Sequence, residues 1–249
     1  MARPNRSDEK RRELLPRLAR AFADLGYRRT TTAELARRCQ ARETTLYRLW
    51  PDKKAMFIAA IRYVYELSEE TWSRLASAVT AGGAGAQSAA AAGAHSARVA
   101  EAGPQSAGAA GDAARPAPVR STVAERLLAY ESRHHGEFSH YRILFAGLSE
   151  ADDVDIRAAL ADTYQRFAAF VAAQIAGHRG ERSAVSPAPR AAAWALVGLG
   201  TVASIARELG LLGERQRQRL FSEVGRVLLR GTPGEPPAEA MSAGELDDD

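Results

Sequence analysis

Between positions 42 and 48 the chain sets two guanidinium groups (Arg42, Arg48), two hydroxyls (Thr44, Thr45), a phenol (Tyr47) and a carboxylate (Glu43). Such a run offers many directed hydrogen bonds and no group primed to break a covalent bond. Its chemistry is that of contact. An arginine can hold a guanine edge through a forked pair of hydrogen bonds, and the set as a whole suits the major groove of a duplex. Glu43 could accept from a cytosine amino group, but a carboxylate near a helix N-terminus is the favoured reading.

Other candidate chemistry is thin. There is no nucleophile motif, metal-ligand spacing or phosphate loop, so an enzyme is not expected and no cofactor or metal is assigned. His134, His135 and His140 lie near Glu131 and Glu137, a set that could bind metal, but a structural or solvated role is the stronger reading. His95 reads as a solvated bystander. The run Gly198-Leu-Gly200-Thr-Val-Ala203 imitates a dinucleotide fingerprint. No strand precedes it and it sits in a helical pattern, so its small residues are expected to let two helices approach. Cys39, the single cysteine, excludes an internal disulfide and reads as a packed thiol in a reducing compartment.

Charge is unevenly placed. The net charge is +4, yet residues 1–54 hold 15 Lys or Arg against 7 Asp or Glu, leaving −4 for the remainder. A basic end of this kind points to a polyanionic partner. The longest uncharged apolar run, residues 191–206, has 16 residues, short of the roughly 20 a membrane span needs. It reads as a buried helix, with no membrane partner. The charged N-terminus does not resemble a secretion signal, and a cytoplasmic location is expected.

The elements that must hold residues 42–48 follow from periodicity. Leu14, Leu15, Leu18, Phe22 and Leu25 predict a helix over 9–25, closed by Gly26 and open to a kink at Pro16. Thr31 and Glu34 form a candidate capping box for a short helix over 31–39. After the break at Gln40-Ala41, a third helix over 43–49 is stopped by Pro51. Three helices in about 45 residues match a helix-turn-helix unit. Asp52 then caps a long helix striped by Met56, Ala59, Tyr63, Leu67 and Leu75. Residues 80–118 are mostly Ala, Gly and Ser, too poor in large apolar side chains to bury a core, and are expected to be a flexible insert. Helical periodicity returns over 119–136, 141–148, 156–175, 190–212 and 214–229. The tail, 232–249, is acidic and expected to be disordered. The fold class is all-α. A helix-turn-helix domain (1–54, motif 31–50) is joined to a larger helical domain over 55–231.

Phe22, Gly26-Tyr27, Thr30 to Thr32, Leu35-Ala36, Thr45-Leu46-Tyr47, Trp50-Pro51 and Lys53 together resemble the TetR/AcrR family of regulators. The match is dense over 9–57 and beyond that is one of layout. The resemblance implies phosphate contacts from Thr30 or Thr31, Thr45, Tyr47 and Lys53, and base contacts from Arg42, Thr44 and Arg48. Two positions depart from the family pattern. Gln40 stands where glycine usually permits a left-handed turn, at a cost of roughly 1 to 2 kcal/mol. Arg42 stands where a capping serine is frequent.

The resemblance further implies a homodimer on pseudo-palindromic double-stranded operator DNA, acting as a repressor released by a small-molecule effector of unknown identity. The last two helices are then the expected dimer face, with Leu199, Val202, Leu220, Val224 and Leu228 as candidates. Trp72, Phe138, Tyr141, Phe145, Tyr164 and Phe167 are expected to line an effector pocket. The alternative is a DNA-binding regulator or architectural protein without an effector.

Overall fold

The structure, a computed structural model, describes residues 6–80, 121–135, 141–181, 183–184 and 186–231. These residues form nine helices and no strand. The insert expected over 80–118, apart from Thr80, lies outside the described residues, as do the tail, His95, Phe138 and His140.

Helix α1 (Arg6–Leu25) buries Leu14, Leu18, Ala21 and Phe22 at helical spacing and passes through Pro16. It ends at Gly26, whose φ of +75° provides the left-handed exit. Helices α2 (Thr32–Cys39) and α3 (Glu43–Leu49) cross beneath it. Phe22 meets Phe57 edge-on at 4.9 Å, and Tyr27 lies 4.8 Å from the same ring. Such aromatic pairs add about 0.5 to 1.5 kcal/mol each beyond their buried area.

Helix α4 (Lys53–Thr80) starts where Asp52 Oδ1 accepts from the Ala55 amide at 2.7 Å. At 28 residues it spans about 42 Å and runs without interruption from the first three helices into the rest of the molecule. Its expected stripe is displaced. Met56 is buried, but Ala59, Tyr63, Leu67 and Leu75 are only half-buried, while Phe57, Ala60, Ile61, Val64, Tyr65 and Trp72 are enclosed. The cause is that α4 is packed on more than one side, by α1 and by α7 (Val154–Arg179).

Helix α5 (Val123–His134) opens with a complete capping box between Thr122 and Glu125. Helix α6 (Tyr141–Leu148) follows the predicted bounds. Asp153 caps α7 by accepting from the amides of Asp155 and Ile156, and Gly180 at φ +68° closes it. Helix α8 (Pro187–Glu208) lies along α7, and α9 (Glu214–Arg230) packs on α5 and α8. By length and composition α8 could cross a membrane. It is not buried all round as its sequence suggested: Ala192, Ala193, Gly200, Ala203, Ser204 and Ala206 face inward, whereas Trp194, Val202 and Ile205 are exposed.

Two apolar clusters result. The larger runs from Leu14 to Phe167 and joins α1–α4 to α5, α6 and α7; the smaller gathers Ala124, Ala172, Ile175, Ala192, Ala193 and Leu229. A cavity lies between them.

Candidate nucleic-acid interface and inner cavity

Leu46 and Leu49 anchor α3 in the larger core, which leaves Arg42, Glu43, Thr44, Tyr47 and Arg48 exposed and Thr45 half-buried. Both ends of the helix are fixed by neighbours. Arg11 of α1 donates from Nε and Nη2 to the Leu49 carbonyl at 3.0 and 2.8 Å. At the other end, Gln40 adopts φ 53°, ψ 42°, the one positive φ at a non-glycine residue among those described. The predicted departure from the family pattern is thus a left-handed residue without glycine. Arg17 offsets part of its cost by donating to the Cys39 carbonyl and to Gln40 Oε1, each at 3.1 Å. Arg42 occupies the N-cap of α3 with no side-chain cap bond.

Charge pairing separates the two short helices. Glu34 binds Arg37 and Arg38, and Arg38 also reaches Asp24 at 2.7 Å. The hydrogen bonds from Arg37 and then Arg38 bring the Glu34 carboxyl down to about 2. Only half of the predicted capping box therefore forms. Thr31 accepts from the Glu34 amide at 3.2 Å, but the Glu34 side chain turns to the arginines. The guanidiniums of Arg42 and Arg48 make no ion pair or hydrogen bond among the described residues, so α3 presents two charges without a protein partner.

Two predicted phosphate contacts change. Thr30 is fully buried and its hydroxyl donates to the Gly26 carbonyl, so its side chain closes the α1–α2 turn and cannot reach a nucleic acid. Thr31 is exposed. Lys53 Nζ donates to the carbonyls of Tyr27 and Thr30, both at 3.2 Å, and lies 4.4 Å from the centre of the Tyr27 ring. It keeps one of its three donors, so its larger part is to pin that turn against α4.

The inner cavity has a volume of about 120 Å³. Trp72, Tyr141, Phe145, Tyr164 and Phe167, five of the six aromatic residues assigned to a pocket from sequence, line it; Phe138 lies outside the described residues. Phe170 and Phe221 also line it and were missed, because the same helical spacing serves ordinary core packing. Burial, and then the negative charge of Glu131, raises the Tyr141 phenol. Burial does the same for Tyr164.

The cavity's polar side is Glu131 with His135, residues that read as structural or solvated from sequence. Glu131 accepts from Trp72 Nε1 at 2.7 Å and faces His135 Nδ1 at 2.9 Å. The other ring nitrogen, Nε2, is 2.8 Å from the Gly200 carbonyl and 3.3 Å from Ser204 Oγ. A Cβ at Gly200 would sit 2.9 Å from His135 Cε1. The small residue there admits an imidazole ring rather than another helix backbone. Among the described residues no three metal-ligating side chains form a group.

An exposed helix with two unpartnered guanidiniums on a three-helix unit, continuous with a helical domain that contains a cavity, is the layout of a helix-turn-helix protein. Residues 15–60 match the family of bacterial regulatory proteins, tetR family. No curated protein sequence matches the chain. Among solved structures, a TetR-family transcriptional regulator from Rhodococcus sp. is similar over 89% of this chain and 99% of its own, with a TM-score of 0.59 and 17% identity. Reduced NemR from E. coli covers 88% and 96% at 0.59 and 14%. FadR from Bacillus subtilis, in complex with stearoyl-CoA, covers 89% and 98% at 0.55 and 10%. The chain therefore carries the TetR-family helix-turn-helix and has the fold of the TetR-family transcriptional regulators.

Proposed function

We propose that the chain is a sequence-specific DNA-binding regulator that acts as a homodimer, most simply a repressor released by a small molecule held in the inner cavity. The observation that carries this reading is the outward face of α3, where Arg42, Thr44, Tyr47 and Arg48 are exposed and both guanidiniums lack a protein partner. Arg42, Thr44 and Arg48 read base edges, and Thr31, Thr45 and Tyr47 hold phosphates, with Lys53 supplying charge behind them.

Two copies must place their recognition helices about 34 to 36 Å apart to read successive major grooves. The dimer face is built from α8 and α9. Trp194, Val202 and Ile205 on α8 and Val227 on α9 are 40 to 68% exposed. Leu199, Leu220, Val224 and Leu228 are half-buried beside them and have surface left to bury. An exposed apolar strip on two adjacent helices is the kind of surface a second copy covers.

Release requires an effector that favours one arrangement of the two halves. The halves are joined by α4 and by ion pairs from Arg28 to Glu150 (2.8 Å) and from Lys54 to Asp153 and Asp155 (3.3 and 2.5 Å). Movement around the cavity thus has a direct route to the DNA-binding unit. The stearoyl-CoA bound by the Bacillus subtilis neighbour supports a small-molecule role for this fold, although a cavity of about 120 Å³ is far too small for a long acyl chain.

Selection from a randomised duplex pool, followed by titration of the winning sequence at several salt concentrations with wild-type and Tyr47→Ala protein, tests the core of this reading. The expected result is an enriched palindrome whose binding weakens in the variant. Scrambled DNA competing as well as the selected sequence would overturn operator specificity in favour of an architectural binder.

A further inference from the structure

The cavity's lining specifies more than the presence of a ligand. Its volume of about 120 Å³ is close to that of apolar cavities of about 150 Å³ that stay dry and accept benzene. Seven aromatic side chains, Trp72, Tyr141, Phe145, Tyr164, Phe167, Phe170 and Phe221, line it together with aliphatic residues. Trp72 is stacked on Phe170 at 4.7 Å and edge-on to Phe167 at 5.6 Å. A space of this size and lining suits one aromatic ring, which would continue those face and edge contacts.

The groups at the polar side already have partners. Both nitrogens of His135 face acceptors, the Glu131 carboxylate and the Gly200 carbonyl. A neutral imidazole can donate to one of them only; the imidazolium donates to both. The Glu131 oxygens are already engaged by Trp72 and His135, and a charged ligand would enter apolar walls that hold no further charged side chain to pair with it, which is costly.

The unspent hydrogen-bonding capacity is mostly that of acceptors. Thr201 Oγ1 donates to the Val197 carbonyl at 3.1 Å, and Ser204 Oγ to the Gly200 carbonyl at 3.0 Å. The Tyr141 and Tyr164 hydroxyls, which also line the cavity, can each accept as well as donate. Of the roughly four lone-pair sites of the Glu131 carboxyl group, two are taken by Trp72 and His135. Gln174 is the lining residue that still offers amide protons.

On the reading that this cavity holds the effector, we infer that it takes a small, uncharged, single-ring aromatic molecule bearing one hydrogen-bond donor, a phenolic hydroxyl or aromatic amine N–H, which it gives to Glu131. The same carboxylate positions His135 against the Gly200 carbonyl of α8. Occupancy is thereby felt at the helix assigned to the dimer face.

The test measures melting temperature and tryptophan fluorescence of the full chain with phenol, anisole, toluene, benzoate and benzylammonium at neutral pH. Phenol is expected to bind about tenfold more tightly than anisole, the value of one hydrogen bond to a charged acceptor. Benzoate and benzylammonium are expected to leave both signals unchanged. In Glu131→Gln the phenol preference should shrink while toluene binding stays the same. If that variant does not fold, the phenol-to-anisole ratio of the wild type decides by itself. Equal binding of phenol and anisole, tighter binding of either ion, or no binding of any ring overturns the inference. Phenol bound with this preference but leaving DNA affinity unchanged would remove effector release and keep the cavity assignment. Release by a compound of another class, with phenol unbound, would do the reverse.

Discussion

Cys39 sits fully enclosed under α1, and burial pushes its thiol up from 9.0 to about 11, against the opposing charge of Arg17. Its sequence reading as a packed thiol agrees with that enclosure. Because the folded value is raised, the neutral thiol contributes stability below about pH 9, and this is lost as pH rises towards 11. Native protein at pH 8 is expected to resist iodoacetamide and to be alkylated rapidly once unfolded in guanidinium; mass spectrometry distinguishes the two. Fast labelling of the folded state would show that the residue is accessible after all. Tyr47, at 47% exposure, makes the opposite case. Tyr47→Ala should change folding stability by no more than about 0.5 kcal/mol, as for other surface sites, while lowering operator affinity at every salt concentration. Thr30 and Lys53 show what type and position leave open. Each has chemistry suited to phosphate, but a hydroxyl aimed at Gly26 and an ammonium shared by two carbonyls are facts of three-dimensional placement.

At the scale of the element, helix ends were the most legible features because they depend on adjacent residues. Asp52, Gly26 and the break after Cys39 all act over three or four positions, whereas the cap of Thr122 with Glu125 was not read from the sequence. The turn at Gln40 offers a direct measure. Gln40→Gly removes left-handed strain worth roughly 1 to 2 kcal/mol and adds back about 0.5 to 1 of chain entropy. It also loses the exposed Arg17 bond. A net gain of up to about 1 kcal/mol is expected in urea unfolding, and a loss would mean that the Arg17 contact outweighs the strain. Helix faces were less legible than helix ends. The α4 stripe was displaced because α1 and α7 both cover that helix, and periodicity alone registers one apolar direction. On α9, Phe221, Gly225 and Leu229 face inward, so the apolar positions Leu220, Val224, Val227 and Leu228 are left at the flank or outside.

For the whole molecule, that leftover apolar surface yields a test of assembly. Val202→Glu and Val227→Glu change exposed positions at 54% and 68%, so each variant should fold with an unchanged helical spectrum. Light scattering is expected to find a dimer for wild type and a monomer for the double variant, with operator binding weakened in step. A double variant that remains dimeric would place the interface elsewhere. The continuous core from Leu14 to Phe167 also predicts one cooperative unfolding transition for the helix-turn-helix and the cavity domain together. Calorimetry resolving two separate transitions would argue that α4 and the Arg28 and Lys54 ion pairs couple them only weakly. What the sequence by itself determined was local or compositional: the helical class, the caps, the basic N-terminal end, and the run of contact-making side chains on α3. Those depend on nearest neighbours and on periods of a few residues. Only the tertiary structure decided that Thr30 turns inward and that Glu131 and His135 face a cavity. It alone brought His135 to Gly200, 65 positions away, because which side of a helix meets which neighbour is set by the packing of the whole chain.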